Sequence, residues 1–299
     1  MRVTTSNIYL TSATGLGSAL GRVQEQSARL SSGRSISNWS DDAPAAATAE
    51  ALRAGEADLA SFARSAADAT GWLDAADGTL QSMSSLLTRV RELATSAVNG
   101  GLSPTSRTAL ADEVTQLRDQ LRDLGQTRYL DRPLFGGFGG DSGAALASAP
   151  GQPVTFAGDS EPVRRQVSPT VVLQVNVDGR ALFGFGGAGD DVFATLEALS
   201  TAVRADDAAG LATAQGRLAG HAGAVGRGLA QVGATTNRVT SVVDAGGVSQ
   251  VDLARRRSGL EDVDIAEAVL KLNAAQAGYQ AALGATAKSN LPSLADFLR

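Results

Sequence analysis

Apolar and small residues recur at alternating spacings of three and four through residues 52–97, and none of them is charged. The positions are Leu52, Gly55, Leu59, Phe62, Ala66, Ala69, Leu73, Ala76, Leu80, Met83, Leu87, Val90, Ala94 and Ala97. This spacing, held over roughly six heptads, is typical of a coiled coil. A helix of this length measures roughly 70 Å at about 1.5 Å per residue and needs partners along its whole length. The pattern therefore predicts a long helix within a bundle.

Further heptad stripes predict the partners of this helix. A glycine turn at Asn99–Gly101 precedes a stripe of Leu110, Val114, Leu117, Leu121 and Leu124, which we expect to fold back on the first helix. Helical spacing returns at Val192, Leu196, Leu199 and Val203. A second long stripe follows at Leu211, Gln215, Leu218, Ala222, Val225, Leu229, Val232, Thr236, Val239, Val243, Gly246, Gln250 and Leu253.

Each end of the chain carries one amphipathic helix. The N-terminal stripe is Tyr9, Ala13, Leu16, Leu20, Val23, Ser27 and Leu30, and the C-terminal stripe is Ile265, Val269, Leu272, Gln276, Tyr279, Leu283 and Thr286. Interior glycines cost roughly 1 kcal/mol each relative to alanine, so an isolated pair is weak. We expect neighbouring copies or partners to order these ends. The predicted assembly interface is Tyr9, Leu16, Leu20, Val23, Leu30, Ile265, Val269, Leu272, Tyr279 and Leu283.

Local signals mark where the helices begin and end. Gly33 predicts the end of the first helix, and Asp41, Asp42 and Pro44 predict the start of the second. Those two carboxylates could instead serve acid-base chemistry, but no histidine or cysteine is near them in the chain. Arg255–Arg257 before Gly259 fits a last helical turn better than a nucleic-acid patch. Asp264 and Glu267 resemble a capping box.

Residues 136–189 change composition to glycine, proline, valine and phenylalanine. Leu173, Val175 and Val177 alternate with polar residues, and Asp178–Gly179 predicts a two-residue hairpin turn before a strand at 180–183. Gly184–Gly189 resembles a phosphate loop only weakly, because no Gly-Lys-Ser/Thr follows. A junction between domains is the preferred interpretation.

The predicted fold is mainly α: a long antiparallel helical rod, a coiled-coil-like bundle, with paired terminal helices and a small β insertion. Three domains are expected. Residues 1–35 with 260–299 form a terminal assembly domain, 36–135 with 190–259 form the rod, and 136–189 form the insertion.

Composition removes several function classes. The net charge of -5 offers no general attraction for nucleic acid. The chain has no cysteine and a single histidine, His221, which we interpret as a surface or packed side chain, so we expect no metal and no cofactor. The N-terminus lacks the apolar region of a secretory signal peptide. The sequence contains no run of about 18 apolar residues, so we expect no membrane insertion.

Several motifs resemble the flagellin superfamily along nearly the whole chain. They are Met1–Thr4, Leu30–Arg34, Ser40–Asp42, Arg89–Ala94 and Glu261–Glu267. Within that family, Thr127–Gly137 and Leu294–Leu298 are most similar to the branch that joins hook to filament. Pro133 and the glycines of the insertion depart from that branch, and Arg299 is similar to flagellin itself.

The resemblance implies a non-enzymatic structural subunit of the bacterial flagellum. It implies that the terminal helices pack into a helical array between hook-associated proteins and flagellin, and it leaves room for an export chaperone. It also implies an extracellular position, reached through the flagellar secretion apparatus without a cleaved signal peptide.

Two alternatives stay open at this point. The first is flagellin, a filament subunit that polymerises without limit. The second is an enzyme carried in the insertion, whose carboxylates are Asp141, Asp159, Glu161 and Asp178, with Asp190 and Asp191 at its exit. No nucleophile and base accompany these carboxylates, which disfavours the enzyme.

Overall fold

The computed structural model describes residues 2–36, 38–99, 101–138, 144–147, 153–186 and 191–289. Most of this part is helical: α1 (Arg2–Ser32), α2 (Ala43–Asn99), α3 (Pro104–Gly125), α4 (Gly179–Phe183), α5 (Val192–Ala205), α6 (Ala208–Glu261) and α7 (Ile265–Ser289). Short strands lie between α3 and α4: β1 (Arg128–Tyr129), β2 (Arg132–Pro133), β3 (Leu146–Ala147), β4 (Thr155–Phe156), β5 (Arg164–Gln166) and β6 (Val172–Gln174). The predicted mainly α class with a small β insertion is confirmed.

Contacts between residues divide the chain into two compact units. The central unit contains residues 59–247, and the terminal unit contains residues 1–58 and 248–299. These two units do not test the predicted division into terminal, rod and insertion domains, which stays a prediction.

The heptad stripe of α2 forms the core of the central unit, as predicted. Every stripe position from Ala66 to Ala97 is buried. Leu80 is fully buried and lies over α6 at Gly228, where an added Cβ atom would be 3.4 Å from the Leu80 Cδ1 atom. This is an ordinary van der Waals distance, so α2 and α6 pack directly against each other at this point.

Every second position of the predicted α6 stripe, from Leu211 to Val239, is buried, and the positions between them are half-buried. Beyond Val239 the prediction is wrong at Val243 and Gln250, whereas Leu253 is half-buried and its Cδ1 atom would lie 3.2 Å from a Cβ atom added at Gly55. Leu211, Leu218 and Val239 are buried, whereas Val243 is 45% exposed and Gln250 is exposed. Val242 packs against the core in place of Val243. The same offset occurs earlier in the helix, where Ala214, His221 and Gly228 are buried one residue before the predicted Gln215, Ala222 and Leu229.

His221 lies on α6 and is buried, so of the two interpretations, a surface or a packed side chain, the second is correct. Its Nε2 atom lies 3.1 Å from the Thr195 hydroxyl oxygen of α5. That hydroxyl donates to the carbonyl oxygen of Asp191 at 2.9 Å, so its oxygen accepts from the imidazole. The histidine thus packs α6 against α5.

Side-chain caps begin the helices at the predicted places. Asp42 Oδ1 accepts from the Ala45 amide at 3.0 Å. Asp264 Oδ1 accepts from the Glu267 amide at 3.1 Å. Gly33, at φ +70°, follows the end of α1. These carboxylates satisfy backbone donors that a helix leaves free, which confirms the capping interpretation.

The insertion contains three antiparallel strand pairs, β1 with β2, β3 with β4, and β5 with β6. The predicted hairpin at Asp178–Gly179 is wrong. Asp178 instead caps α4, and its Oδ1 atom accepts from the Arg180 amide at 2.9 Å. An Asp-Gly pair suits both a turn and a helix start, and here burial of Leu182 and Phe183 on the core favours the helix.

The predicted end of α6 before Gly259 is also wrong, because the helix continues to Glu261. Arg257 therefore lies one turn inside the helix, where it pairs with Glu56 and Glu261 and not with free carbonyl groups. A single glycine in a helix costs only about 1 kcal/mol, which tertiary ion pairs can offset.

Candidate assembly surface

The terminal unit is built around the pairing of α1 with α7. The loop after α1 and the loop before α7 meet in an antiparallel bridge between Arg34 and Asp262. The Val263 amide also donates to the Gly33 carbonyl oxygen at 2.9 Å. Because α1 enters this meeting point and α7 leaves it, the two helices run antiparallel.

The helix pair has a thin core. Among the described side chains of the terminal unit, the buried apolar ones are the three alanines Ala19, Ala49 and Ala268. Five residues of the predicted interface are half-buried in the same unit: Leu16, Val23, Leu30, Leu272 and Tyr279. Burial of this little apolar area stabilises the pair weakly, since the free energy gained scales with the area removed from water.

The remaining predicted interface residues lie on the outside of the pair. Ile265 is 66% exposed, and Leu20, Val269 and Leu283 are about two-fifths exposed. Tyr9 belongs to α1, but its side chain lies outside the described residues. The predicted stripe thus divides between positions that hold the two helices together and positions that face outward.

Two exposed leucines escaped the sequence prediction. Leu10 on α1 is 67% exposed and Leu270 on α7 is 69% exposed, and neither belongs to the predicted stripes. The sequence contains a further signal in α7 beyond Leu270, because no charged residue occurs between Lys271 and Lys288. Leu283 lies within this uncharged stretch and is 42% exposed. The outward face of α7 therefore lacks a partner in the single chain.

Two ion pairs of the terminal helices lie in the halves of α1 and α7 nearer the meeting point. Glu25 pairs with Arg29 at 2.9 Å on α1, and Glu267 pairs with Lys271 at 2.8 Å on α7. No charge occurs between Arg2 and Arg22 either. A partner that covers the uncharged parts of both helices has no charge to desolvate, which is the costly step in burying most protein surfaces.

A cluster of ion pairs, absent from the sequence prediction, lies beside the meeting point. Glu261 is buried, and its Oε1 and Oε2 atoms lie 2.5 Å from Arg53 Nη2 and 3.3 Å from Arg257 Nη1. Arg257 Nε also lies 3.0 Å from Glu56 Oε1. We name Arg53, Glu56, Arg257 and Glu261 the Glu261 cluster.

Both guanidinium groups of the cluster stay charged. A hydrogen bond to Glu56, with Glu261 adding to it, raises the pKa of Arg257 above its ordinary value. A hydrogen bond to Glu50, with Glu261 again adding, raises the pKa of Arg53. The pairing of Arg257 with Glu56 was invisible in the sequence because the two residues lie 201 positions apart.

The carboxylates of the alternative enzyme serve the backbone. Asp159 Oδ1 accepts from the amides of Phe138 and Glu161, and Asp191 Oδ1 accepts from the Ala194 amide. Asp178 caps α4, while Asp141 and Asp190 lie outside the described residues. The carboxylates of Asp159, Asp178 and Asp191 therefore accept hydrogen bonds from backbone amides.

Within the described ranges, no group of three or more histidine, aspartate or glutamate side chains is placed to hold a metal ion. The described helices also contain no stretch long and apolar enough to cross a bilayer.

Comparison with known families matches both ends of the chain. The model of the bacterial flagellin N-terminal helical region matches residues 3–138, and that of the bacterial flagellin C-terminal helical region matches residues 222–298. Polar flagellin F of Vibrio parahaemolyticus is 31% identical over 153 residues, which are 51% of this chain and 41% of that protein. The chain thus spans well under half the length of that flagellin.

A second group of relatives matches over a longer range. Flagellar hook-associated protein 3 of Escherichia coli is 25% identical over 94% of this chain and 96% of its own length. The solved structure of a putative flagellar hook-associated protein from Vibrio parahaemolyticus has a TM-score of 0.69 and 19% identity, and covers 74% of this chain and all of that one. The latter similarity shows the fold.

Proposed function

The chain belongs to the bacterial flagellin family, and from this premise we propose that it is a structural subunit that joins the flagellar hook to the filament. Members of this family are structural proteins, so the chain is not an enzyme. The proposal adds a position within the flagellum to the family membership.

The length of the matches carries the proposal. Flagellar hook-associated protein 3 of Escherichia coli aligns with this chain almost from end to end, whereas polar flagellin F aligns with half of it. A filament subunit of the same family remains the second candidate, favoured by the higher identity of 31% to that flagellin.

Assembly would couple ordering of the terminal helices to binding. The uncharged outer faces of α1 and α7 are exposed in the single chain, so neighbouring subunits would bury them. Burial of this apolar area offsets the conformational entropy lost when the helices are fixed. Head-to-tail contacts that do not close into a ring generate the helical array that a tube requires.

The proposed partners are hook-associated proteins on one side, flagellin on the other, and further copies of this chain around the tube. The assembly interface is proposed to include Leu20, Ile265, Val269 and Leu283, with Leu10 and Leu270 added from their exposure. We further propose that the subunit reaches the outside of the cell through the flagellar secretion apparatus, with or without an export chaperone.

Deleting the gene for this chain tests the proposed position. We expect cells that build hooks, lack filaments and release flagellin monomers into the medium, because flagellin would have nothing to anchor it. Electron microscopy and an immunoblot of the medium measure these outcomes, with the complemented strain as control. Full-length filaments that stay attached in the deletion strain would contradict the junction role.

A further inference from the structure

The Glu261 cluster occupies an unfavourable place for a carboxylate. Glu261 is the last residue of α6 and is 3% exposed. The C-terminus of a helix carries partial negative charge, and burial removes the water that would otherwise solvate an anion. Pairing with both Arg53 and Arg257 is what makes this position stable for Glu261.

The same residue also holds the two loops at the base of the helix pair. The Glu261 carbonyl oxygen accepts from the Ser35 amide at 2.6 Å and from the Ser35 hydroxyl at 3.1 Å. The neighbouring Val263 amide donates to Gly33. Glu261 therefore connects α2 and α6, through its side chain, with the loop that leads from α1 to α2.

We propose that the Glu261 cluster is a latch that holds the base of the α1–α7 pair closed in the free subunit. The terminal unit has only alanines as described buried apolar side chains, so ion pairs and backbone hydrogen bonds add to a thin apolar core in holding it together. The latch fixes the C-terminal end of α1 and the N-terminal end of α7 before partners cover these weakly packed helices. The role of the latch in assembly rests on the proposed function, whereas its effect on the loops rests on the contacts of the cluster alone.

Trypsin provides a direct reporter of the latch in the full chain. Arg34 is exposed, and the bond to Ser35 lies between the two backbone hydrogen bonds that join the loops. Cleavage there requires the loops to separate. Cleavage between Arg89 and Val90, in the core of the central unit, reports global unfolding instead.

Replacing the buried carboxylate by an amide, Glu261→Gln, should raise the initial rate of cleavage after Arg34 about tenfold, since it leaves a partly buried guanidinium cluster short of one anion. The rate after Arg89 should stay unchanged. The matched control is Asp252→Asn. Asp252 lies on the same helix, and its carboxylate pairs with Arg256 at an exposed position. Mass spectrometry of the first tryptic fragments measures both rates.

Equal rates of cleavage after Arg34 in Glu261→Gln and Asp252→Asn would overturn the latch. An equal increase in the rate of cleavage after Arg89 would also overturn it, because the cluster would then stabilise the whole chain. In cells, Glu261→Gln should release more flagellin than Asp252→Asn. Failure of the proposed function would appear as attached filaments in the deletion strain, and it would leave the two cleavage rates as an independent test of the latch.

Discussion

Replacing Leu80 by Asp should unfold the central unit at temperatures where the wild-type chain is fully folded. Leu80 is fully buried in the stripe between α2 and α6. The substitution removes a packed leucine and buries an unpaired carboxylate, which together cost about 5 kcal/mol. For a unit of this size the melting temperature should fall by about 10–20 °C.

Thermal melting followed by circular dichroism at 222 nm measures this effect. Thr88→Asp is the matched control, because it places the same charge at an exposed position of the same helix. It should change the melting temperature by only a few degrees. A Leu80→Asp chain that melts like Thr88→Asp would show that this stripe is not the core.

Replacing Leu20 and Leu283 together by Ser should abolish filament retention while leaving the central unit folded. Each side chain is about two-fifths exposed in the single chain, and partners would bury this exposed remainder of its surface. Losing that remainder costs about 1 kcal/mol per side chain, or about thirtyfold in each subunit contact for the pair. Repeated contacts in an array multiply the loss.

Cells carrying the double variant should make and export the protein, build hooks and shed flagellin into the medium. Leu130→Ser is the matched control, since Leu130 is 74% exposed in the central unit and undergoes the same chemical change. Anchored full-length filaments in the double variant would contradict the assembly surface. Equal shedding by Leu130→Ser would show that the loss is not specific to the terminal helices.

The helices were predictable because their information is local. Heptad spacing placed α2 and every second position of the first half of α6 correctly, and Gly33, Asp42 and Asp264 marked helix boundaries through local hydrogen bonds or backbone conformation. These signals act within one or two turns of the chain. A single sequence therefore contains all that they require.

Features decided by distant partners were not predictable. Asp178–Gly179 satisfies both a turn and a helix start, and only the packing of Phe183 against Phe135 and Phe193 selects the helix. Arg257 fits a last turn until Glu56, far away in the sequence, draws it into an ion pair. Both errors arise where tertiary contacts override a local preference.

The assembly surface was predictable in kind and not in detail. An apolar stripe predicts that a helix is covered, but it does not say whether the other terminal helix or another subunit covers each position. Leu272 proves half-buried and Ile265 exposed, although both belong to one stripe. The uncharged stretch of α7 between Lys271 and Lys288 was a further signal, because a partner that covers it has no charge to desolvate.

Immunogold electron microscopy of intact flagella, with antibodies raised against residues 153–178, tests the junction role most directly. A subunit that joins hook to filament should be labelled in one short band at the distal end of the hook, with the filament unlabelled. Gold particles distributed along the filament would contradict the junction role and identify the chain as a filament subunit.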